Sequence, residues 1–551
     1  MTTPQTLPRA FQGHVVERPD ELALSAFGRD YVLTWAQYGA EVERVAGGLA
    51  ELGLGRGDVL ATLLTNRPEF NITELAANHL GATTFSIYNT CSAEQIHHLL
   101  TDSEAKIVVT ERQYVDTVKA SGVGIEHLLV VEDGDFERLQ PPTGFDFAAR
   151  WQAVQPDDVL CMIYTSGTTG PPKGVEHTHR GALGMAGSLA ATFPLGPGDT
   201  TISYLPSAHA ADRCVCHYLA VATGAHIVTL SDAAQLPQAL PEVRPSAFAA
   251  VPRMWEKLKA GVERQLDAMP GLREAFEADT PEVIAAVRDR LGLDKVRWAL
   301  SSAAPIPLGV YAFLQRLGIP VSEIWGMSET GIATAASPER ARIGTVGTVM
   351  PGYETKVLED GELLVRAPFI MRGYRNLPDK TAEAVDAEGW MHTGDIVTVD
   401  DDGYFTIVDR KKELIINSGG KNMSPTNIEN AIRTESPLVG PLIAVGDRRP
   451  YNVAVVSLEA DAVRVYAEKL GLAADPAALA KDPRVLAEVQ RAVDAGNAKL
   501  ARIEQIKRFV LVPDTWESGG EFLTPTGKLK HRIITDNYAA VIDDLYGAPA
   551  S

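Results

Sequence analysis

No apolar run in this chain approaches the length that crosses a bilayer, which excludes a membrane-spanning helix as its organising element. The start, Met1-Thr2-Thr3-Pro4-Gln5, lacks the basic and apolar regions of a secretion signal. Cysteine is scarce. Cys91, Cys161, Cys214 and Cys216 are too few for a disulfide framework in 551 residues, which suits a reducing cytosol. Positive charge is also short: 51 Lys and Arg face 71 Asp and Glu, a net charge of −20. So acidic a surface disfavours nucleic acid, whose binding is driven by phosphate neutralisation. The expectation is a soluble cytoplasmic protein without a nucleic-acid partner, in which local basic groups and helix ends hold any anionic ligand.

What the chain has is length and alternation. At 551 residues it exceeds a single core, and two or more domains are expected. Thr34 to Gln37 spells a capping box, followed by Trp35, Tyr38, Val42, Val45 and Leu49 at helical spacing. A strand over 59–64, a helix over 72–80, a strand over 83–88 and a second capping box at Ser92–Gln95 follow. Such alternation predicts helices packed on a largely parallel sheet. A second α/β stretch runs from Thr200 to about Val321. From Gly344 the texture changes to short strands and turns, a small β-rich subdomain. The charged Asp409-Arg410-Lys411-Lys412-Glu413 reads as a linker, and Ser424-Pro425 opens a further helix. An Ala-rich helical segment extends to about Ile506. The predicted fold class is α/β: a large domain over 1–410, built of two α/β subdomains and the β-rich one, then a small mobile α+β domain over 411–551.

The densest signal is Tyr164-Thr165-Ser166-Gly167-Thr168-Thr169-Gly170-Pro171-Pro172-Lys173-Gly174. It follows a buried-strand pattern at Val159–Ile163. Backbone N–H groups, hydroxyls and one lysine together suit the grip of a triphosphate. The Walker spacing would need Gly at 172 and Ser or Thr at 174, where Pro172 and Gly174 stand, so this is no P-loop NTPase.

The passage resembles the phosphate loop of the adenylate-forming superfamily, which holds acyl-CoA synthetases, peptide-synthetase adenylation domains and luciferase. Five further stretches match in order. Ser301-Ser302-Ala303-Ala304-Pro305 resembles the segment lining the adenine, and Trp325-Gly326-Met327-Ser328-Glu329-Thr330 the aromatic-Gly-x-Thr-Glu motif. The resemblance implies that Trp325 stacks on adenine, Ser328 meets the α-phosphate and Glu329 holds Mg²⁺. By the same likeness Asp395 of Trp390–Asp395 and Arg410 reach the ribose, and Lys412 is the hinge. Ser418-Gly419-Gly420-Lys421-Asn422 resembles the strand that shapes the CoA thiol tunnel. Lys528 of Leu523–Lys530 falls where the adenylation lysine belongs.

Tyr204–Arg213 and Val251–Lys257 are similar to the long-chain fatty acid–CoA ligases. His209, which joins Lys528 and Glu329 as a candidate catalytic group, replaces the Asp of amino-acid-activating relatives. Gly326 stands where acetate-activating relatives carry Trp, so the acyl pocket is expected to be open there. Cys214, Cys216 and His217 offer only a C-x-C, without a second ligand pair at a zinc spacing. Glu176-His177 and Ser302-Ala303 depart from the family near the expected substrate, which bears on the identity of the acid. The implied reaction uses ATP, Mg²⁺ and coenzyme A: a medium- or long-chain fatty acid is adenylated with release of pyrophosphate, then passed to CoA with release of AMP. The alternative is a ligase of specialised metabolism, which activates an aryl acid or a small oxyanion such as nitrite for an amine or carrier protein.

Overall fold

The computed structural model describes residues 5–165, 171–417, 421–471, 473–517, 519–524 and 527–547. Two seven-stranded sheets form its larger part. The first runs, in spatial order, Gly373–Tyr374, Lys173–Thr178, Val159–Thr165, Thr83–Ser86, Val59–Leu63, Ile107–Thr110 and His127–Val130. Its five inner and far strands are parallel, while Val159–Thr165 and Lys173–Thr178 pair as an antiparallel hairpin. The second runs Val321–Glu323, Trp298–Ser301, Ala247–Ala250, Thr200–Ser203, His226–Thr229, Leu22–Ala26 and Val32–Thr34, parallel except at the last.

Both capping boxes form as spelled. Thr34 and Gln37 exchange side-chain-to-backbone hydrogen bonds at the start of Trp35–Glu51, and Ser92 and Gln95 do so ahead of Ala93–Ser103. Sheet membership was not legible locally. The hairpin at residues 22–34 joins the second sheet, about 200 residues ahead of the strand it pairs with there, because it is a parallel partner for His226–Thr229.

Between the sheets lies the helix Pro68–His79, every residue of which is buried. Six of its twelve side chains are polar or charged, Glu69, Asn71, Thr73, Glu74, Asn78 and His79, so its burial depends on partners from both sheets. Glu74 Oε1 accepts from Arg213 Nη1 at 2.5 Å, Tyr218 Oη at 2.7 Å and Thr84 Oγ1 at 3.0 Å. Arg213 also donates to Ser86 Oγ and to the Ser207 carbonyl. Arg213 belongs to a π-helical turn, Asp212–Tyr218, on the second-sheet side. The pair therefore pins one sheet to the other through a fully desolvated charge contact.

The β-rich part comprises an antiparallel sheet of Glu354–Val357, Glu362–Arg366, Met391–Val399 and Phe405–Arg410, with a smaller one of Trp325–Met327, Gly331–Ala335 and Thr348–Val349. From Ile415 onward the apolar clusters draw on no earlier residue: Val439–Val445, Asn452–Leu458 and Ile506–Leu511 form a sheet covered by helices such as Pro425–Arg433 and Pro483–Asn497. Ile506 begins a strand where the helical segment was expected to end. This C-terminal body meets the rest through polar contacts, among them Arg253–Glu459 at 2.5 Å and Arg433–Glu256 at 3.3 Å.

Candidate active site

The loop spelled by Tyr164–Gly174 joins the two strands of the hairpin, with Thr165 registered opposite Lys173. Ser166, Gly167, Thr168 and Thr169 lie outside the described residues. Lys173 rests its ammonium 3.9 Å from the centre of the Tyr374 ring. Burial lowers its pKa, and the nearby Glu329 carboxylate opposes that shift. Glu329 is buried; its Oε1 accepts the Tyr374 hydroxyl at 2.8 Å and its carbonyl accepts Met371 N at 2.8 Å.

The neighbouring Ser328 is held from behind. Burial takes His177 down to about 4, so its imidazole is neutral at ordinary pH, and Nε2–H donates to the Ser328 carbonyl at 2.6 Å. Glu176 faces Arg375 at 3.5 Å and Arg372 at 3.9 Å. Both residues brace the phosphate-loop strand, His177 against the segment carrying Ser328 and Glu176 against the arginines flanking Tyr374, because alternation along the strand sends successive side chains to opposite faces.

Trp325 and Asp395 meet through a buried hydrogen bond, indole Nε1 to Oδ2, at 2.8 Å, while Arg410 Nε donates to Oδ1 at 2.7 Å. Burial raises the Asp395 pKa, against the pull of Arg410 and the indole. Each oxygen keeps a second lone pair. Ser302, Ala303 and Ala304 follow the C-terminal end of Trp298–Ser301, the edge at which open α/β sheets bind ligands. Ala303 sits at φ +74°, a left-handed conformation that costs an L-residue about 1 kcal/mol. Strain of this kind is held only where the surroundings fix the turn.

Lys528 arrives from the C-terminal body on a tight hairpin. Leu523 bridges Leu529, Thr524 N donates to the Lys528 carbonyl at 2.8 Å, and Gly527 takes a positive φ of 78° to close the turn. Lys528 itself is exposed, and its ammonium lies within the field of Arg410 and Asp395 of the N-terminal body. Burial and then Arg410 depress its pKa; Asp395, Glu413 and Glu329 oppose them. Across from it His209 is depressed to about 4 by burial and by Lys528. Its Nδ1 accepts Ala211 N–H at 3.1 Å, so the neutral ring carries its proton on Nε2.

One expectation changes. At Gly326 a side chain would begin 2.1 Å from the Gly331 carbonyl oxygen, so the glycine is required by close strand pairing and is no sign of an open acyl pocket. The apolar cavity nearby, lined by Ala182, Met185, Ala186, Leu189, Cys214 and Ile332, is only about 10 Å³. Lys421 stays exposed, its backbone N–H bonded to Asn417 Oδ1, and is not brought among the groups above. Gly419 and Gly420 lie outside the described residues. Lys412 is exposed in the turn after Phe405–Arg410. Met327 is half-buried on the strand beside Trp325. Sequence reasoning missed Tyr374, whose only signal was a Gly-Tyr pair between two arginines, and the Glu74–Arg213 pair, whose members are 139 residues apart.

Residues 11–375 match the AMP-binding enzyme family and 412–550 the AMP-binding enzyme C-terminal domain. The chain belongs to the AMP-binding enzyme family. It is 47% identical over 457 residues to fadD11 of Mycobacterium tuberculosis strain H37Rv, a fatty-acid–CoA ligase by name, covering 77% of this chain and 79% of that protein. To the long-chain-fatty-acid–CoA ligase FadD15 of the same strain it is 32% identical, over 93% of this chain and 92% of that one. Among solved structures, the anthranilate CoA ligase AuaEII in complex with anthranoyl-AMP superimposes with a TM-score of 0.77 at 19% identity, covering 98% and 99% of the two chains. That likeness concerns the fold. Among the described residues no helix of this AMP-binding family member is long and apolar enough to cross a membrane.

Proposed function

We infer that this chain is an AMP-forming acid–CoA ligase that activates a medium- or long-chain fatty acid with ATP. The observation that supports the reading is Lys528: a lysine of the C-terminal body whose charge is coupled to Asp395, Arg410 and Glu329 and depresses His209, all of the N-terminal body. The named activity of the two mycobacterial relatives supports the choice of acid.

In the first half-reaction an oxygen of the acid's carboxylate attacks the α-phosphorus of ATP, and the bond to the pyrophosphate oxygen breaks. Two anions must approach each other, and the Lys528 ammonium offsets their repulsion in the transition state. The Nε2–H of His209 supplies a donor without adding charge. Lys173 and the loop Thr165–Thr169 face the β- and γ-phosphates, and Ser328 the α-phosphate. The Trp325 ring offers its face to adenine, with Ser302–Ala304, Gly326 and Met327 beside it, and its N–H holds Asp395 toward the ribose with Arg410.

The described residues contain no group of three His, Cys, Asp or Glu able to hold a metal unaided. One buried carboxylate, Glu329, fits Mg²⁺, which takes most of its oxygens from phosphates and water. When bound, the ion supplies charge neutralisation on the leaving pyrophosphate. In the second half-reaction the CoA thiolate attacks the acyl carbon of the adenylate and AMP leaves. That step calls for a turn of the 411–551 body about Lys412, withdrawing Lys528 and bringing Gly419, Gly420 and Lys421 to the thiol path.

ATP–pyrophosphate exchange with acids of two to sixteen carbons, aryl acids and nitrite, with and without CoA, tests the reading. Exchange driven by acids of eight or more carbons, with thioester formed only when CoA is added, is expected. Exchange driven by an aryl acid or nitrite alone overturns the fatty-acid assignment.

A further inference from the structure

We propose that Tyr374 is a positioning residue that keeps Lys173 and Glu329 apart and ready, so that the nucleotide's phosphates and the divalent cation each find a free partner. The proposal rests on the nucleotide-site reading above. Tyr374 belongs to a two-residue strand, Gly373–Tyr374, that pairs with Lys173–Thr178 from some 200 residues further along the chain. Its place there is fixed on both sides. Arg372 N donates to the Glu176 carbonyl and Arg375 N to the Gly174 carbonyl, each at 2.8 Å. Tyr374 N donates to Thr381 Oγ1 at 2.9 Å, and the ring is buried.

From that edge the one side chain meets both charged groups. Its hydroxyl donates to Glu329 Oε1 at 2.8 Å, and its π face carries the Lys173 ammonium at 3.9 Å. The same segment holds the backbone of Glu329 through Met371 N. Lys173 feels the Glu329 carboxylate, yet the described residues include no ion pair between the two. The physical reason is electrostatic. The ring offers each a replacement contact: a quadrupole for the cation and an O–H for the anion. An ion pair would neutralise both groups before any phosphate arrived. With the ring in place, Lys173 keeps its charge for the phosphates, and Glu329 Oε2 is left to the cation.

Two variants separate the halves of this role. Tyr374→Phe keeps the ring and loses the O–H; Tyr374→Leu loses both. ATP binding by calorimetry is measured in EDTA and at saturating Mg²⁺, and the Mg²⁺ dependence of pyrophosphate exchange is followed. For Tyr374→Phe, ATP affinity in EDTA stays within about twofold of wild type, while the Mg²⁺ needed for half-maximal exchange rises about tenfold, the usual cost of removing a partner that orients a metal ligand. For Tyr374→Leu, ATP affinity in EDTA falls as well, because Lys173 is released to pair with Glu329. Both variants keep thioester formation from a supplied acyl-adenylate, which excludes general disruption. An unchanged Mg²⁺ dependence in the Phe variant overturns the proposal, as does equal weakening of ATP binding with and without Mg²⁺. Loss of thioester formation in both variants assigns Tyr374 a merely structural role and overturns it too. A wild-type protein that binds no ATP overturns the parent reading, and this one with it.

Discussion

The N-terminal and C-terminal bodies bury charge in opposite ways. In the N-terminal body Glu74 and Arg213 are both sealed from solvent and paired through Glu74 Oε1, and the histidines His177 and His209 are neutral, depressed to about 4. In the C-terminal body His531 pairs with Glu429 at 2.9 Å and, although burial alone would lower it, is raised to about 9. The contacts between the bodies differ again. Arg253–Glu459 and Arg433–Glu256 are half-exposed ion pairs, screened by water and salt. One body is a preorganised frame locked by desolvated contacts, and the other is a unit docked by weak ones. Under the proposed mechanism, a lysine that acts in one half-reaction and leaves before the other belongs on the second kind.

The sharpest break of that contrast is Lys528→Ala. Adenylation is expected to fall about 100-fold or more, since one positioned charged donor is lost. Thioester formation from a supplied adenylate should survive, and both half-reactions are measurable separately by pyrophosphate exchange and thiol consumption.

Next in size is the frame itself. Glu74→Leu leaves the Arg213 guanidinium buried without its counter-charge and should cost about 3–5 kcal/mol in denaturant unfolding. The double variant Glu74→Leu/Arg213→Met removes both charges and should recover most of that loss. A double variant no more stable than the single one would show that the pair fixes the two sheets by geometry, beyond charge.

The histidines give the two bodies opposite pH responses. His177 and His209 have folded pKa values below their ordinary 6.5, so the stability they lend is present above about 6.5 and lost as pH falls toward 4. His531 is raised, so its contribution is complete below about 6.5 and lost as pH rises through about 9. Hydrogen exchange should therefore quicken first in 159–178 on the acid side and first in 425–445 on the alkaline side, by about tenfold per pKa unit released.

The smallest effect is expected at the docking pairs. Arg253→Ala or Arg433→Ala should change stability by less than about 1 kcal/mol, and less still at high salt. What should move is the population of the docked orientation, readable as the distance between labels on the two bodies.

Local chemistry carried much of this outcome in advance. The capping boxes at Thr34 and Ser92, the strand leading into the phosphate loop and the break in texture near Gly344 all depend on neighbours a few residues apart, and patterns of that range are spelled in order along the chain. Motif order placed Lys173, Glu329, Asp395, Arg410 and Lys528, and the fold brings them toward one cleft. The surroundings of His177 and Gly326 were not legible for one reason: the first is defined by the Ser328 carbonyl and the second by the Gly331 carbonyl, contacts that tertiary packing creates and that no local pattern records. Sequence alone thus determined the family and the α/β class. Only the tertiary structure decided that Tyr374 touches both Lys173 and Glu329 and that Arg213 reaches Glu74, because those contacts exist only once the sheets and the edge strand have packed.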